Sequence, residues 1–475
     1  MSATFIGRKN ELNKLQSLFE KGSASLVVVK GRRRIGKSRL IEEFSKGHTF
    51  YNFTGLPPTD KTTSMTERDA FKTQLRKHFN DVPKSDDWWD LLWFLAESTQ
   101  TGRVIILFDE ISWMATKDPD FLGKLKTIWD TQFKRNQQLI FVMCGSISTW
   151  IESNILSSTG FMGRISLTLT LNELPLSDCN EFWNKSFVSD YEKLKILAVT
   201  GGIPRYLEEI NYSLPAEQNI TNLCFKSSGV LFNEFDQIFS DLFTSRSERY
   251  KKIVFFLSSQ KADRHEIAKH LGIEVGGVIS SYLADLVAAG FIQRDFSWRI
   301  KDGKTSKLNI YRLSDNYLKF YIKYIFENKR KIELGTFEEI NVGSLPGWST
   351  IMGFQFENLV LNNRKRIQAL LSVNPNDIVS DGAYFQRQTE RMPGCQIDYM
   401  IQTKFDTLYV CEVKFSKHEI KEDIIDEMTL KLNSLKTPKN FSKRPVLIHV
   451  NGVNSHVEES GFFSKIISFG ELLGS

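Results

Sequence analysis

The stretch GRRRIGKSRL, residues 31–40, carries the most specific chemical pattern in the sequence. Its Gly31, Gly36, Lys37 and Ser38 fit the spacing G-x-x-x-x-G-K-[ST], in which backbone amides and a helix N-terminus surround phosphate groups. In this pattern Lys37 reaches the β- and γ-phosphates of a nucleotide such as ATP, and Ser38 ligates Mg²⁺. The alternative is a basic loop without a ligand.

The flanking residues favour the phosphate-binding interpretation. SLVVVK, residues 25–30, is a short β-branched run typical of a buried parallel strand, and SRLIEEF, residues 38–44, has the apolar spacing of a helix. Strand, glycine loop and helix are the setting that the pattern requires. The three arginines at 32–34 then add positive charge at the loop tip without forming the cradle.

Two further apolar runs end in polar residues suited to nucleotide chemistry. Residues 104–108 predict a buried strand that ends at Asp109 and Glu110, where open α/β sheets bind ligands. We expect Asp109 to hold Mg²⁺ through water and Glu110 to polarise the attacking water. A third strand, residues 139–146, ends in Ser146, which could sense the γ-phosphate. The alternative for each is an ordinary polar turn.

A second group of charged residues lies near the carboxyl end of the chain. Glu412 and Lys414 share one face of a predicted strand, because side chains alternate along a strand. Asp398 interrupts an apolar run on the preceding strand, where a carboxylate is costly unless paired or bound to a cation. Neighbouring strands would bring Asp398 beside Glu412 as oxygen ligands for Mg²⁺, an arrangement that hydrolyses phosphodiesters. A cross-strand ion pair is the alternative.

The segment between these two groups predicts a separate helical module with a hairpin. From about residue 247, two short helices around a glycine turn precede a longer helix and a hairpin, which is the order of a winged helix-turn-helix. The expected recognition helix, residues 275–289, contains serines and a tyrosine but neither Arg nor Lys. Reading of DNA and a purely architectural role therefore both remain open.

Composition sets the broad class. The chain has 475 residues, 62 Lys and Arg against 56 Asp and Glu, and five scattered cysteines outside any CxxC pair. This predicts several domains, a mild basic excess that permits nucleic-acid binding, and neither a disulfide framework nor a zinc site. The N-terminus lacks an apolar signal core and no apolar run is long enough to span a membrane, so we expect a cytoplasmic protein without a membrane partner.

Four further segments resemble archaeal-type AAA+/STAND-related ATPases: FIGRKNELNKL at residues 5–15, FMGRISLTL at 161–169, TGGIPRYLEEI at 200–210 and LSDNYLKFYIKYI at 313–325. In that family the first box packs near the adenine and the Gly-Gly-Pro segment lies in a helical lid. The resemblance therefore implies nucleotide proximity for Phe5, Gly7, Arg8 and Pro204. It makes Arg164 a candidate phosphate-sensing arginine.

The C-terminal order of one helix and three strands resembles the PD-(D/E)xK nuclease-like domain often fused to these ATPases. The resemblance implies that Asp398, Glu412 and Lys414 are catalytic and that Glu357, on the first helix, is an accessory metal ligand. Gln396 stands where relatives often have Glu, which would weaken a second metal. No proline precedes Asp398, a common variation.

We therefore expect an α/β protein in four parts: a P-loop ATPase core with a parallel sheet at residues 1–175, a helical lid at 176–246, a winged helix-turn-helix with a following helix at 247–330, and a nuclease-like domain at 331–475. One hypothesis is an ATP-gated, Mg²⁺-dependent nuclease that acts on DNA in processing or defence. A second is a nucleotide-switch protein that binds DNA or a protein partner. A third is a scaffold that forms homo-oligomers, in which Arg164 or Arg32 to Arg34 reach a neighbour's phosphate.

Overall fold

The computed structural model describes residues 4–474 except 60, 147, 185, 244–246, 338, 391 and 392. The chain forms two compact units. The first comprises Met1–Glu173, Gln237–Ser247 and Ala284–Gly290, and the second comprises Leu174–Asp236, Glu248–Leu283 and Phe291–Ser475. The predicted end of the lid, at residue 246, lies outside the described residues.

The first unit contains a five-stranded sheet and its flanking helices. The strands are β1 (Ser25–Gly31), β2 (Thr49–Thr54), β3 (Val104–Asp109), β4 (Ile140–Gly145) and β5 (Ile165–Leu171). The helices are α1 (Lys9–Gln16), α2 (Lys37–Phe44), α3 (Ser64–Leu75), α4 (Trp88–Glu97), α5 (Ile111–Thr116), α6 (Phe121–Thr131) and α7 (Ser148–Ile151).

The strands are all parallel and run in the order β2-β3-β4-β1-β5. Every residue of β3 and β4 is buried, as expected for strands covered by helices on both faces. An aromatic cluster that includes Phe53, Phe108 and Phe141 packs on one face. The predicted parallel α/β sheet is confirmed. Its order places the carboxyl ends of β3, β4 and β1 side by side, and these ends position the first site.

After β5 the described residues form fifteen α-helices and seven strands. The helices are α8 (Leu176–Asn180), α9 (Asp190–Thr200), α10 (Pro204–Leu207), α11 (Ala216–Cys224), α12 (Glu234–Phe243), α13 (Ser247–Ser259), α14 (Arg264–Leu271), α15 (Gly277–Ala288), α16 (Asn316–Phe320), α17 (Glu327–Glu333), α18 (Trp348–Asn362), α19 (Arg364–Leu370), α20 (Asp423–Ser434), α21 (Ser455–Glu459) and α22 (Phe469–Leu473). The strands are β6 (Ile292–Trp298), β7 (Thr305–Leu313), β8 (Ile378–Gln386), β9 (Cys395–Thr403), β10 (Thr407–Lys414), β11 (Ser442–His449) and β12 (Lys465–Ser468). Among the described residues, none of the helices combines the length and apolar character needed to cross a membrane.

Helices α13, α14 and α15 precede the antiparallel hairpin of β6 and β7. A capping box fixes the start of α14, because the Asp263 side chain accepts from the amides of His265 and Glu266 while the Glu266 carboxylate accepts from the Asp263 amide. The preceding Ala262 pairs with Tyr311 of β7. This bridge joins the α13–α14 connection to the hairpin.

The C-terminal sheet has the order β12-β11-β10-β9-β8. Strand β9 is antiparallel to both β8 and β10, whereas β10, β11 and β12 are parallel to one another. The parallel step from β10 to β11 needs a crossover, and α20 supplies it. Ile424 and Met428 of α20 are buried in the core of this sheet, so the same helix presents its other residues beside β10.

Candidate functional site

The loop between β1 and α2 has a backbone that requires glycine at two positions. Gly31 has a φ of 153°, and a Cβ there would lie 2.5 Å from the carbonyl oxygen of Leu171. Gly36, the N-cap of α2, has a φ of 86°, which is the left-handed region that glycine adopts at low cost. The two glycines therefore allow the chain to turn tightly from the end of β1 into α2.

Lys37 is the centre of a buried hydrogen-bond network at this edge of the sheet. Its ammonium donates to the carbonyl oxygens of Gly31 and Arg32, each at 3.1 Å, and to Ser146 Oγ at 2.7 Å. Ser146 Oγ donates to Glu110 Oε1 at 2.6 Å, and the Ser146 amide donates to Glu110 Oε2 at 3.2 Å. One hydroxyl thus links the lysine to the carboxylate.

Ser38 and Asp109 form a second link between the loop and β3. Ser38 Oγ donates to Asp109 Oδ2 at 2.5 Å, while Asp109 Oδ1 accepts from the Glu110 amide at 3.0 Å. Glu110 has a φ of 50°, so the backbone turns sharply directly after the strand. A hydroxyl and a carboxylate beside a lysine are the donors suited to Mg²⁺ and phosphate oxygens together, so these residues fit a bound Mg²⁺ nucleotide.

Two arginines tie this loop to its surroundings in the first unit. Arg8 is buried and donates to the carbonyl oxygens of Ile35, at 3.3 Å, and Asn172, at 2.5 Å. Arg32 forms an ion pair with Glu173 at 3.8 Å. Arg8 therefore contacts the phosphate loop itself, and its nearness to the adenine stays a prediction.

Arg164 belongs to the first unit and Pro204 to the second. Arg164 makes two hydrogen bonds to Asp130, at 2.8 and 2.9 Å, and these bonds raise the pKa of Arg164 above its ordinary value. Pro204 is the first residue of α10 in the second unit, where its fixed φ suits a helix start. Their roles toward a nucleotide stay predictions.

The second group of predicted residues meets on β9 and β10. Asp398 Oδ2 accepts from the Val413 amide at 3.0 Å, and Glu412 Oε1 lies 3.4 Å from Lys414 Nζ. Burial, together with the Glu412 and Glu357 carboxylates, raises the pKa of Asp398 to about 7. The structure therefore places Asp398 within the electrostatic reach of both other carboxylates.

Lys431 of α20 is a member of this site that the sequence patterns did not indicate. It forms an ion pair with Glu412 Oε2, so each oxygen of this buried carboxylate faces a lysine. Lys414 also donates to Glu427 at 2.6 Å. Burial opposes the charge of Lys431, but the Asp398 and Glu412 carboxylates raise its pKa above its ordinary value. The spacing of Glu427 and Lys431, one helical turn apart, is the available sequence signal.

Glu357 lies on α18 and forms an ion pair with Lys261 at 2.7 Å. Among the residues that the structure describes, no group of three or more His, Cys, Asp or Glu side chains is placed to hold a metal ion. Mg²⁺ is often held by one or two carboxylates together with substrate phosphates. Asp398 and Glu412 fit such a two-carboxylate site, whereas Glu357 as a third ligand stays a prediction.

The comparisons with known proteins place the first site within a known family of domains. The family model of the ATPase domain found predominantly in Archaea matches residues 5–210. Residues 5–210 form an ATPase domain of this family. The match includes the loop, Asp109, Glu110 and Ser146, while the carboxylates of β9 and β10 lie outside it.

Two relatives of this chain come from Methanocaldococcus jannaschii. The chain is 26% identical to the uncharacterized protein MJECL04 over 359 residues, which are 75% of this chain and 76% of the relative. It is 42% identical to the uncharacterized ATP-binding protein MJ0423 over 40 residues, which are 8% of this chain and 68% of the relative.

A solved structure shares the fold. The Walker-type ATPase paby2304 of Pyrococcus abyssi superimposes with a TM-score of 0.50 at 15% identity, over 67% of this chain and 96% of that chain. At this identity the likeness shows the fold alone. It agrees with the parallel sheet that carries the phosphate loop of the ATPase domain.

Proposed function

We propose that this chain binds and hydrolyses ATP and that its nucleotide state controls a metal-dependent DNA endonuclease in its C-terminal part. The observation that carries the proposal is the linked set of Lys37, Ser146 and Glu110 at the ends of three adjacent segments of the sheet. Lys37 and the loop amides would hold the phosphates, and Ser38 with Asp109 would hold Mg²⁺, which neutralises phosphate charge.

Glu110 would orient the attacking water in this ATPase. We expect Glu110→Gln to bind ATP with about wild-type affinity and to hydrolyse it roughly 100-fold more slowly, because the amide can accept from Ser146 but polarises water weakly. Steady-state phosphate release and titration with a fluorescent ATP analogue measure the two effects. Wild-type hydrolysis by Glu110→Gln would refute this role, and Glu97→Gln, an acid-to-amide change at the end of α4, is the control.

In the C-terminal part, Asp398 and Glu412 would hold Mg²⁺, which activates water and stabilises the leaving oxygen when bound. Lys414 would position that water or offset charge on the phosphodiester, and Glu357 would act as the accessory carboxylate. The mixed order of β8 to β12 with α20 as the crossover supports a PD-(D/E)xK nuclease-like assignment for this sheet. The exposed Gln396, in place of a carboxylate, favours a single metal.

Helices α13 to α15 and the β6–β7 hairpin would form a winged helix. Helix α15 carries no Arg or Lys, so base reading by its side chains lacks the residues that usually contact guanine and phosphate. We therefore assign α15 an architectural role and expect DNA to contact other surfaces.

A second candidate function is a nucleotide-switch protein whose C-terminal part only binds. The observation that favours it is the pair of lysines, Lys414 and Lys431, that face both oxygens of Glu412. A metal at Glu412 must displace at least one of them. Because Glu412 already has two cationic partners, this site would bind Mg²⁺ weakly.

One experiment separates the two functions. Supercoiled and linear DNA are incubated with Mg²⁺ or Mn²⁺, with and without ATP, and with the wild type, Asp398→Asn or Lys37→Ala. Cleavage by the wild type but not by Asp398→Asn supports the nuclease, and the Lys37→Ala result tells whether ATP controls it. Hydrolysis of ATP without any cleavage supports the switch.

The paired lysines lead to a prediction about metal affinity. We expect Lys431→Gln to bind Mn²⁺ about tenfold more tightly than the wild type, because it removes a cation that competes for Glu412 while an amide still donates to the carboxylate. Calorimetry on the full chain without nucleotide measures the change. Lys436→Gln, an exposed lysine just after α20, should leave the affinity unchanged. Equal affinities in all three proteins would contradict the competition.

A further inference from the structure

A small cavity in the second unit lies beside the carboxylate of Glu357. It holds about 40 Å³ and is lined in part by Lys261, Arg312, Lys319, Phe354 and Glu357. These residues come from the α13–α14 connection, β7, α16 and α18. We call this feature the basic cavity, because three of the five side chains are cationic. Its volume is enough for a few water molecules.

Two of the three cations are already paired. Lys261 Nζ lies 2.7 Å from Glu357 Oε1, and Arg312 Nε lies 2.7 Å from Asp295 Oδ2. Arg312 also donates to the side chains of Gln293 and Asn358. Each of these two charges therefore has an anionic partner.

Lys319 is the exception. Its ammonium lies 4.2 Å from the centre of the Phe354 ring, and over the described part of the chain no carboxylate or carbonyl oxygen accepts a hydrogen bond from it. The side chain is half-buried. Burial lowers the pKa of Lys319 to about 8; the neighbouring cations Lys261 and Arg312 act in the same direction, and the Glu357 carboxylate acts against it. An aromatic face compensates only part of the lost hydration of a cation.

We propose that the basic cavity binds a phosphate group of a nucleic-acid strand, with Lys319 as its main ligand. The Lys319 ammonium, for which the described residues show no ion pair with a carboxylate, supplies the point charge with which lysine binds phosphate oxygens. Phe354 is 44% exposed beside it and offers a face on which a base stacks. A cation next to an exposed aromatic ring is the combination that holds single strands.

The position of Glu357 argues for a strand over a free phosphate ion. Glu357 lines the basic cavity and also acts electrostatically on Asp398. A strand that meets both Lys319 and the Asp398–Glu412 pair would therefore run past Glu357. This step rests on the proposed nuclease function, whereas the binding of a strand at Lys319 does not require cleavage.

The test measures binding of a fluorescein-labelled 20-nucleotide single strand to the full chain in EDTA, by anisotropy at several salt concentrations. We expect Lys319→Met to weaken binding roughly five- to tenfold and to reduce the slope of log K against log salt by about one. Lys319→Arg keeps the charge and should retain most of the affinity. Lys323→Met, which removes an exposed lysine from the adjoining helical turn, should change neither value.

Each outcome has a defined meaning. Equal binding by Lys319→Met and wild type overturns the proposal, and so does equal weakening by Lys319→Met and Lys323→Met. Inorganic phosphate that binds in calorimetry and is lost in Lys319→Met, with unchanged strand affinity, overturns the nucleic-acid assignment. If Lys319 governs strand binding but the wild type never cleaves, the nuclease function fails and this site stands. If cleavage needs Asp398 but Lys319→Met changes neither strand affinity nor its salt dependence, the binding site at Lys319 is refuted and the nuclease function stands.

Discussion

Lys37→Ala is expected to lower ATP hydrolysis by at least about 100-fold and to weaken ATP binding strongly, because the ammonium that would hold the β- and γ-phosphates is lost. In the structure this ammonium is buried and makes three hydrogen bonds, two of them to carbonyl oxygens of the loop. No other lysine of the first unit takes part in these contacts among the described residues. Phosphate release and equilibrium titration with a fluorescent ATP analogue measure the two losses.

The matched control for this variant is Lys46→Ala. Lys46 follows α2, is largely exposed and pairs with Glu43 on the helix surface at 2.7 Å. The Lys46→Ala change also removes a lysine charge near α2, so a general electrostatic effect on hydrolysis would appear in both variants. Hydrolysis by Lys37→Ala within a few-fold of Lys46→Ala would show that the loop does not bind ATP in the expected way.

Asp398→Asn is expected to abolish metal-dependent DNA cleavage, with a loss of at least about 100-fold, and to leave ATP hydrolysis unchanged. An asparagine has nearly the same shape, and its carbonyl oxygen can still accept from the Val413 amide, but it is a much weaker ligand for Mg²⁺. The change also removes a charge that burial and two carboxylates disfavour. The melting temperature should therefore stay the same or rise.

Stability distinguishes a catalytic from a structural Asp398. A structural ion-pair role predicts that Asp398→Asn loses stability, whereas the metal role predicts a stable protein without cleavage. Asp426→Asn, an exposed acid on α20, is the control and should cleave like the wild type. Cleavage by Asp398→Asn at the wild-type rate would assign the activity to other residues or to a contaminating nuclease.

The ATPase site was accessible from sequence because its parts are local. The loop follows one strand directly and opens one helix, so four residues within eight positions specify it, and apolar runs identified β3 and β4. The order of the strands in the sheet could not be predicted from the individual apolar runs. It is tertiary packing that places β4 between β3 and β1 and brings Ser146 to both Lys37 and Glu110.

The C-terminal part shows the opposite case. Alternation along β10 predicted that Glu412 and Lys414 share a face, and they lie 3.4 Å apart. Lys431 could not be predicted from the sequence. It lies on a helix, and only the packing of α20 on the sheet brings it to Glu412. The basic cavity could not be predicted for the same reason, since Lys261 lies about fifty residues before Arg312 and Lys319 in the sequence.

The internal contacts at both sites make ligand binding an exchange of partners. Lys37 is linked to Glu110 through Ser146, and Glu412 faces two lysines, so a phosphate or a metal has to replace an internal contact. The binding affinity then reflects only the difference in free energy between the ligand's contacts and the internal contacts that it replaces. We expect a ligand with a single charge to gain little from this exchange, and a triphosphate with its Mg²⁺ to gain more because it makes several contacts at once. The internal pairs therefore act as a threshold that screens ligands by charge before any chemistry begins.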